Sequence, residues 1–128
     1  MKKSGILHPG LSRLLAETGH TDLMTIADRG FPVPLGVERI DLGLVAGIPT
    51  VMDVLAAIDG EFIIDTVIIA EEMTGASPER YRELKERFPH VHLRVVPHLE
   101  FKQIAPESRA VIKTGDATPY ANMIIVSG

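Results

Sequence analysis

Two ionisable residues flank a short apolar run near the start of the chain. In GHTDLMTIADRGFPVP, residues 19 to 34, His20 precedes the run Leu23 to Ala27 and Asp28 follows it. Imidazoles and carboxylates are side chains that commonly move protons in enzymes. The pair is therefore a candidate acid–base set. The alternative interpretation is ordinary loop polarity at the two ends of a buried strand.

Three further polar residues stand beside predicted strands. His98 follows the apolar segment VHLRVV and Pro97, at the carboxyl end of a strand, where open α/β sheets bind ligands. Tyr120 and Asn122, in TPYAN, offer a phenol and an amide, which suit a hydroxyl-rich ligand. Tyr120 could equally pack as an amphipathic edge aromatic, and the sequence leaves both interpretations open.

The other chemistry-bearing patterns are weak or missing. His90 and His92 form an H-x-H pair on one face of a predicted strand, but no third ligand has an obvious spacing, which favours structural or solvated histidines over a metal site. His8, before Pro9, is expected to be a surface or packing residue. There is no cysteine, no glycine-rich nucleotide fingerprint and no G-x-S-x-G elbow. We therefore expect neither a metal nor a cofactor.

Alternating helices and strands must position these residues. Leucines at helical spacing predict a first helix, Thr50 is a predicted N-cap, and Ser77-Pro78 should open the clearest helix, ending before Pro89. The order favours a single-domain, three-layer α/β/α sandwich on a mixed, mostly parallel sheet. The predicted helices cover residues 10–18, 51–58, 78–88 and 99–105, and the predicted strands cover 23–27, 39–45, 62–70, 91–96, 110–115 and 122–127.

Composition limits the class of protein and its partners. At 128 residues the chain has the length of one domain, 1–128. A formal net charge of −4 argues against a nucleic-acid partner. No run approaches the length of a membrane helix, and no signal peptide is evident, so we expect a cytoplasmic protein that contacts no membrane. A hydrophobic content of 45% hints at an apolar subunit interface.

The motifs together resemble the D-ribose pyranase family, relatives of the fucose mutarotases. The segments GHTDLMTIADRGFPVP and PYANMIIVSG carry most of the resemblance, and RIDLGL and the EFKQ of HLEFKQ favour the ribose branch over the fucose branch. Arg29 and Phe31 differ from the small or aliphatic residues expected there, which could alter the rim of a pocket. The remaining matching segments are MKKSGIL, GIPT, IIAEEM and SRAVIKTGD, so the match covers nearly the whole chain in order.

The resemblance implies an isomerase that interconverts the pyranose and furanose forms of D-ribose without a cofactor. It implies that His20 is the proton donor and that the substrate-binding residues are Asp28, His98, Lys102, Tyr120, Ala121 and Asn122. It also implies a homodecamer of two pentameric rings. The alternatives are an L-fucose-type or other sugar mutarotase, and a non-catalytic sugar-binding module.

The length of the first strand raises a geometric problem for this assignment. Five extended residues span about 17 Å at roughly 3.3 Å per residue, so His20 and Asp28 of one chain lie too far apart to hold one sugar. We therefore expect active sites shared between neighbouring subunits of a ring. Tyr120 and Asn122 group with His20 if the last strand is parallel to the first, and with Asp28 if it is antiparallel.

Overall fold

The computed structural model describes all 128 residues. The chain forms six strands and five α-helices, and a 3₁₀ turn, Ala105–Glu107, follows the last helix. The strands are β1 (Leu23–Ala27), β2 (Glu38–Asp41), β3 (Ile64–Ala70), β4 (His92–Val96), β5 (Ala110–Lys113) and β6 (Met123–Ser127). The helices are α1 (Pro9–Glu17), α2 (Val51–Asp59), α3 (Glu72–Ala76), α4 (Pro78–Arg87) and α5 (His98–Ile104).

Local sequence signals explain most element boundaries. Thr50 caps α2 through a reciprocal capping box with Asp53, an arrangement worth about 1 kcal/mol. α4 begins at Pro78 as predicted, but the Ser77 side chain makes no capping hydrogen bond and donates to the Pro119 carbonyl instead. α3, which directly precedes α4, was not predicted from the sequence.

The predicted three-layer sandwich on a mostly parallel sheet is confirmed. The strand order is β2-β5-β1-β6-β3-β4. β5 is parallel to β1 and β2, and β3 is parallel to β4, whereas β6 runs antiparallel between β1 and β3. The five parallel strands therefore end at one edge of the sheet, and β6 begins there.

Side chains of the central strands alternate between two apolar layers, as period-2 geometry requires. On β6, Met123 and Ile125 join the larger core, whose helical part comes from α1, α2, α3 and α4. Ile124 faces the smaller core, which Phe101 of α5 and Ala105 complete. The second layer is thin, and Leu99 of α5 in this layer remains exposed.

The direction of β6 resolves the grouping that the sequence left open. Met123, the first residue of β6, pairs with Ile26 near the end of β1 and with Ile69 near the end of β3. Tyr120 and Asn122 directly precede Met123, so they lie at the Asp28 edge of the sheet.

No helix in the fold has the length and apolar character to cross a bilayer.

Candidate functional site

The loops at the carboxyl edge of the parallel strands enclose a small cavity. Its volume is about 180 Å³, below the ~300–1,000 Å³ of typical closed small-molecule pockets. The loop after β1, the start of α5 and the loop before β6 supply its walls. The lining residues are Asp28, Gly30, Phe31, Pro32, His98, Lys102, Tyr120 and Asn122.

Asp28 and Asn122 are fixed to each other across the edge of the sheet. The Asn122 Oδ1 atom accepts a hydrogen bond from the Asp28 backbone N–H at 2.7 Å, and Asn122 is only 6% exposed. Asp28 Oδ1 accepts from the Gly30 N–H at 2.8 Å. The second carboxylate oxygen of Asp28 and the amide nitrogen of Asn122 have no hydrogen-bond partner within the chain. One acceptor and two donors therefore remain available to a ligand.

An aromatic wall closes one side of the cavity. The His98 ring meets the Tyr120 ring edge-on, with centroids 5.1 Å apart, and stacks on Phe101 at 6.2 Å. Phe101 in turn makes an edge-to-face contact with Phe31 at 6.0 Å. Lys102 is four residues after His98 on α5, and this spacing puts both side chains on one helix face. The wall thus presents an imidazole, a phenol and an ammonium to the cavity.

The buried side chain of Lys113 supports the loop that runs from Asp28 to Phe31. Lys113, the last residue of β5, is 6% exposed, and its Nζ donates to the carbonyls of Asp28 at 2.9 Å and Phe31 at 2.6 Å. Burial lowers the pKa of Lys113, and the nearby Asp28 carboxylate partly opposes that shift. The lysine fixes the turn from residue 28 to residue 31, which shapes the cavity floor.

His20 lies at the opposite edge of the sheet, outside this cavity. It is an exposed residue in a tight turn, in which the Asp22 N–H donates to the Gly19 carbonyl at 3.1 Å. The Asp22 carboxylate braces the turn by accepting from the Gly19 N–H and from Arg109. β1, which spans about 17 Å at roughly 3.3 Å per residue, therefore lies between His20 and Asp28.

Only two non-glycine residues have a positive φ, and each adjoins a candidate site residue. Thr21, directly after His20, has φ 67°, and Tyr120 has φ 56°. The left-handed conformation costs a non-glycine residue about 1–2 kcal/mol, and it is a clear outlier for a β-branched residue such as threonine. Such strain tends to concentrate where a site needs a particular geometry.

The remaining predicted residues have structural explanations. The Ala121 methyl is fully buried in the larger core, so only its backbone could meet a ligand. Phe31 lines the cavity, as its unusual identity suggested, whereas Arg29 contributes a backbone N–H to the Asp116 carbonyl. His8 caps α1 by accepting from the Leu11 N–H. His90 pairs with Asp59 at 2.8 Å.

A larger depression of about 490 Å³ lies at the start of α4. Glu79, Glu83 and Arg80 contribute its charged groups. The guanidinium of Arg80 is already bound to Asp116 and Thr118. The smaller cavity is the better candidate site, because it brings the free groups of Asp28 and Asn122 together with the imidazole, phenol and ammonium of its aromatic wall.

Sequence reasoning missed Lys113, Arg80 and Asp116 as supports of the site. Lys113 ends the apolar segment AVIK, and a charged residue at the carboxyl end of a buried strand is a usable signal. Arg80 and Asp116 are separated by 36 residues, and nothing local in the sequence links them.

Comparisons with known proteins agree with this geometry. All residues, 1–128, match the model of the RbsD / FucU transport protein family. A D-ribose pyranase of Geobacillus thermodenitrificans is 46% identical over 128 residues, covering 100% of this chain and 97% of the relative. A D-ribose pyranase of Geobacillus kaustophilus is 47% identical, with 100% and 94% coverage.

Solved structures give the same result. Bacillus subtilis RbsD complexed with D-ribose is 42% identical and superposes with a TM-score of 0.95, covering 100% of this chain and 98% of that one. FucU from Bifidobacterium longum is 25% identical with a TM-score of 0.78, over 95% and 94% of the chains. The chain therefore belongs to the RbsD / FucU transport protein family.

Proposed function

We propose that this protein is a D-ribose pyranase, an isomerase that interconverts the pyranose and furanose forms of D-ribose. The observation that carries the proposal is the superposition on a ribose-bound relative at 42% identity and a TM-score of 0.95. The curated relatives named above as D-ribose pyranases match over the full chain. The ribose branch is favoured over the fucose branch because the fucose-type neighbour is only 25% identical.

The polar inventory of the cavity suits a small sugar. Asp28 offers a free carboxylate oxygen, Asn122 a free amide, and His98, Lys102 and Tyr120 further hydrogen-bonding groups. Hydroxyl groups both donate and accept, so a mixed set of this kind can hold several at once. Ala121 would take part through its backbone. We assign these six residues to substrate binding.

The reaction itself needs proton transfer and little else. Opening the pyranose breaks the bond between C1 and the ring oxygen, while the anomeric hydroxyl loses a proton and the ring oxygen gains one. Reclosure forms the bond from C1 to the oxygen on C4 and reverses the two transfers. General acid–base catalysis supplies about 10²–10⁴-fold acceleration, and an imidazole can act in both directions. We assign this role to His20.

This assignment requires a second copy of the chain. His20 and the cavity lie at opposite edges of the sheet, and the cavity is small and incomplete on its own. A head-to-tail ring would bring the His20 edge of one subunit over the cavity of the next. Leu99, beside His98, is 73% exposed and Leu35 fully exposed, which provides apolar surface for such a contact. We therefore propose a homo-oligomer with shared sites, and the family resemblance implies that it is a decamer of two pentameric rings.

We further propose that residues 1–128 act as one domain and that the protein works in the cytoplasm. The larger core supports the first point, since it extends from Ile6 to Ile125. The second rests on the family resemblance, which implies that the furanose product supplies a kinase after ribose uptake.

Exchange spectroscopy by NMR tests the activity directly. Adding the protein to D-ribose should accelerate exchange between the pyranose and furanose signals. His20→Ala should abolish the acceleration while retaining sugar binding. His92→Ala is the matched control, because His92 is exposed on β4, which β6 and β3 separate from β1, and it does not line the cavity; it should leave the rate unchanged. Acceleration of anomer exchange on L-fucose alone would favour the fucose-type alternative, and ribose binding without exchange would favour a non-catalytic module.

A further inference from the structure

A buried ion pair lies behind the loop that carries Tyr120 and Asn122. Arg80, in the first turn of α4, donates from Nη1 to Asp116 Oδ2 at 2.7 Å. The two side chains are 11% and 2% exposed, whereas both partners of every other arginine–carboxylate pair are at least 37% exposed. Burying two charges costs free energy unless further hydrogen bonds satisfy them. The burial of this pair therefore needs a structural explanation.

Asp116 connects three separate segments at the site edge of the sheet. Its Oδ2 also accepts from the Val51 N–H at the start of α2, and its Oδ1 accepts from the Thr118 N–H, both at 2.9 Å. Its backbone carbonyl accepts from the N–H of Arg29, the residue after Asp28. Burial alone would raise the pKa of Asp116, but the hydrogen bonds from Arg80, Thr118 and Val51 hold it below its ordinary value. The carboxylate is therefore charged at neutral pH.

The start of α4 contacts the same loop at two further points. Arg80 Nη2 donates to Thr118 Oγ1 at 3.2 Å, and Ser77 Oγ donates to the Pro119 carbonyl at 2.7 Å. The next residue is Tyr120, whose φ of 56° is unfavourable for a non-glycine residue. A strained conformation persists only where the surrounding structure determines it. The contacts from the start of α4 hold the loop on the amino-terminal side of Tyr120 and so maintain its conformation.

We propose that Arg80, Asp116 and Ser77 are positioning residues that hold Tyr120 and Asn122 in their sugar-binding geometry from outside the cavity. None of the three lines the cavity. The inference rests on the proposed function, because it takes the cavity as the sugar site. It adds that recognition of the sugar depends on the start of α4, an element that does not itself reach the sugar.

Kinetics of a matched pair of arginine variants test the proposal. Arg80→Gln removes the bonds to Asp116 and Thr118, and Arg87→Gln removes an exposed pair with Glu83 on the same helix. We expect the KM of Arg80→Gln for ribose to rise about tenfold, the equivalent of one lost charge-assisted hydrogen bond, with kcat within about threefold of wild type. Arg87→Gln should match wild type in both parameters. Equal KM values for folded Arg80→Gln and wild type would overturn the proposal, as would an equal rise in both variants.

Two additional measurements keep the test decisive. Ser77→Ala leaves α4 intact, because the serine side chain makes no capping bond, and it should raise KM about threefold, since it removes a single neutral bond. This variant decides the question if Arg80→Gln does not fold, and an unchanged KM in Ser77→Ala would then refute the proposal.

The second measurement does not depend on activity. The Tyr120 ring lies 5.1 Å from the His98 ring, so movement of Tyr120 must change the NMR shifts of the His98 ring protons. Those shifts should move in Ser77→Ala and Arg80→Gln and stay fixed in Arg87→Gln; the absence of any movement counts against positioning. If wild type fails to accelerate ribose exchange, the proposed function fails, while the His98 shifts still decide whether the start of α4 holds the loop.

Discussion

Mixing two inactive variants gives a quantitative test of the shared site. His20→Ala and Asp28→Ala each disable one of the two groups at opposite ends of β1. Suppose that each site takes His20 from one subunit and Asp28 from its neighbour, and that the variants assemble at random from an equal mixture. Each group is then intact with a probability of about one half, so about one quarter of the sites contain both.

The expected result is therefore recovery of about one quarter of the wild-type exchange rate from two inactive proteins. The variants carry different affinity tags, are mixed while unfolded and are refolded together, and the material that retains both tags is assayed by NMR exchange on ribose. Doubly tagged material with no activity at any mixing ratio would refute sharing.

A dilution series provides the matching control. Wild type mixed equally with the double variant His20→Ala/Asp28→Ala should retain about one quarter of the sites if sites are shared, and about one half if every chain is self-sufficient. Across mixing ratios, activity should follow the square of the wild-type fraction. A linear dependence would show that one chain supplies both groups and would contradict the geometry of β1.

Three stability predictions follow from the supporting contacts. Thr21→Gly should stabilise the fold by about 0.5–1 kcal/mol in urea denaturation, because relief of the left-handed strain exceeds the added chain entropy; a loss of stability would mean that Thr21 is not strained. Lys113→Met should cost about 2 kcal/mol, since the carbonyls of Asp28 and Phe31 lose a charged donor, and an unchanged melting temperature would contradict that support. Asp116→Asn should cost about 3 kcal/mol at pH 7 by leaving Arg80 unpaired. The pKa of Asp116 is lower in the folded state than in the unfolded state. Its contribution to the free energy of unfolding is therefore complete above the unfolded pKa of about 3.9 and is lost as the pH falls through the folded-state pKa. The two proteins should therefore converge in stability in strong acid, and a gap that persists there would refute the ion-pair explanation.

Local patterns in the sequence predicted most of the fold. The run Leu23 to Ala27 has the composition of a buried strand, and Thr50 and Pro78 mark helix starts by their own backbone chemistry. The direction of β6 could not be predicted in the same way. An apolar segment such as NMIIVS pairs equally well in either direction, and only the partners that tertiary structure supplies decide between them.

The residues of the candidate site also differ in whether local sequence patterns could predict them. Asp28, His98 and Asn122 were found because they directly adjoin strands whose ends could be located. Arg80 and Asp116 were not predicted, because their pairing depends on the packing of α4 against a loop that is distant in the sequence. The part of the site that faces the ligand was thus accessible from local patterns, and the part that holds it in place was not.

The central position of β6 also determines the order in which the fold can be completed. Hydrogen bonding divides the parallel strands into two groups, β2-β5-β1 and β3-β4, and β6 alone joins them. Ile125 of β6 pairs with Met24 of β1, which lies about a hundred residues earlier in the chain. The chain must therefore be synthesised as far as β6 before the two groups can become one sheet. Since the loop with Tyr120 and Asn122 is anchored by that same strand, we expect the protein to acquire its capacity for sugar only in the final step of folding.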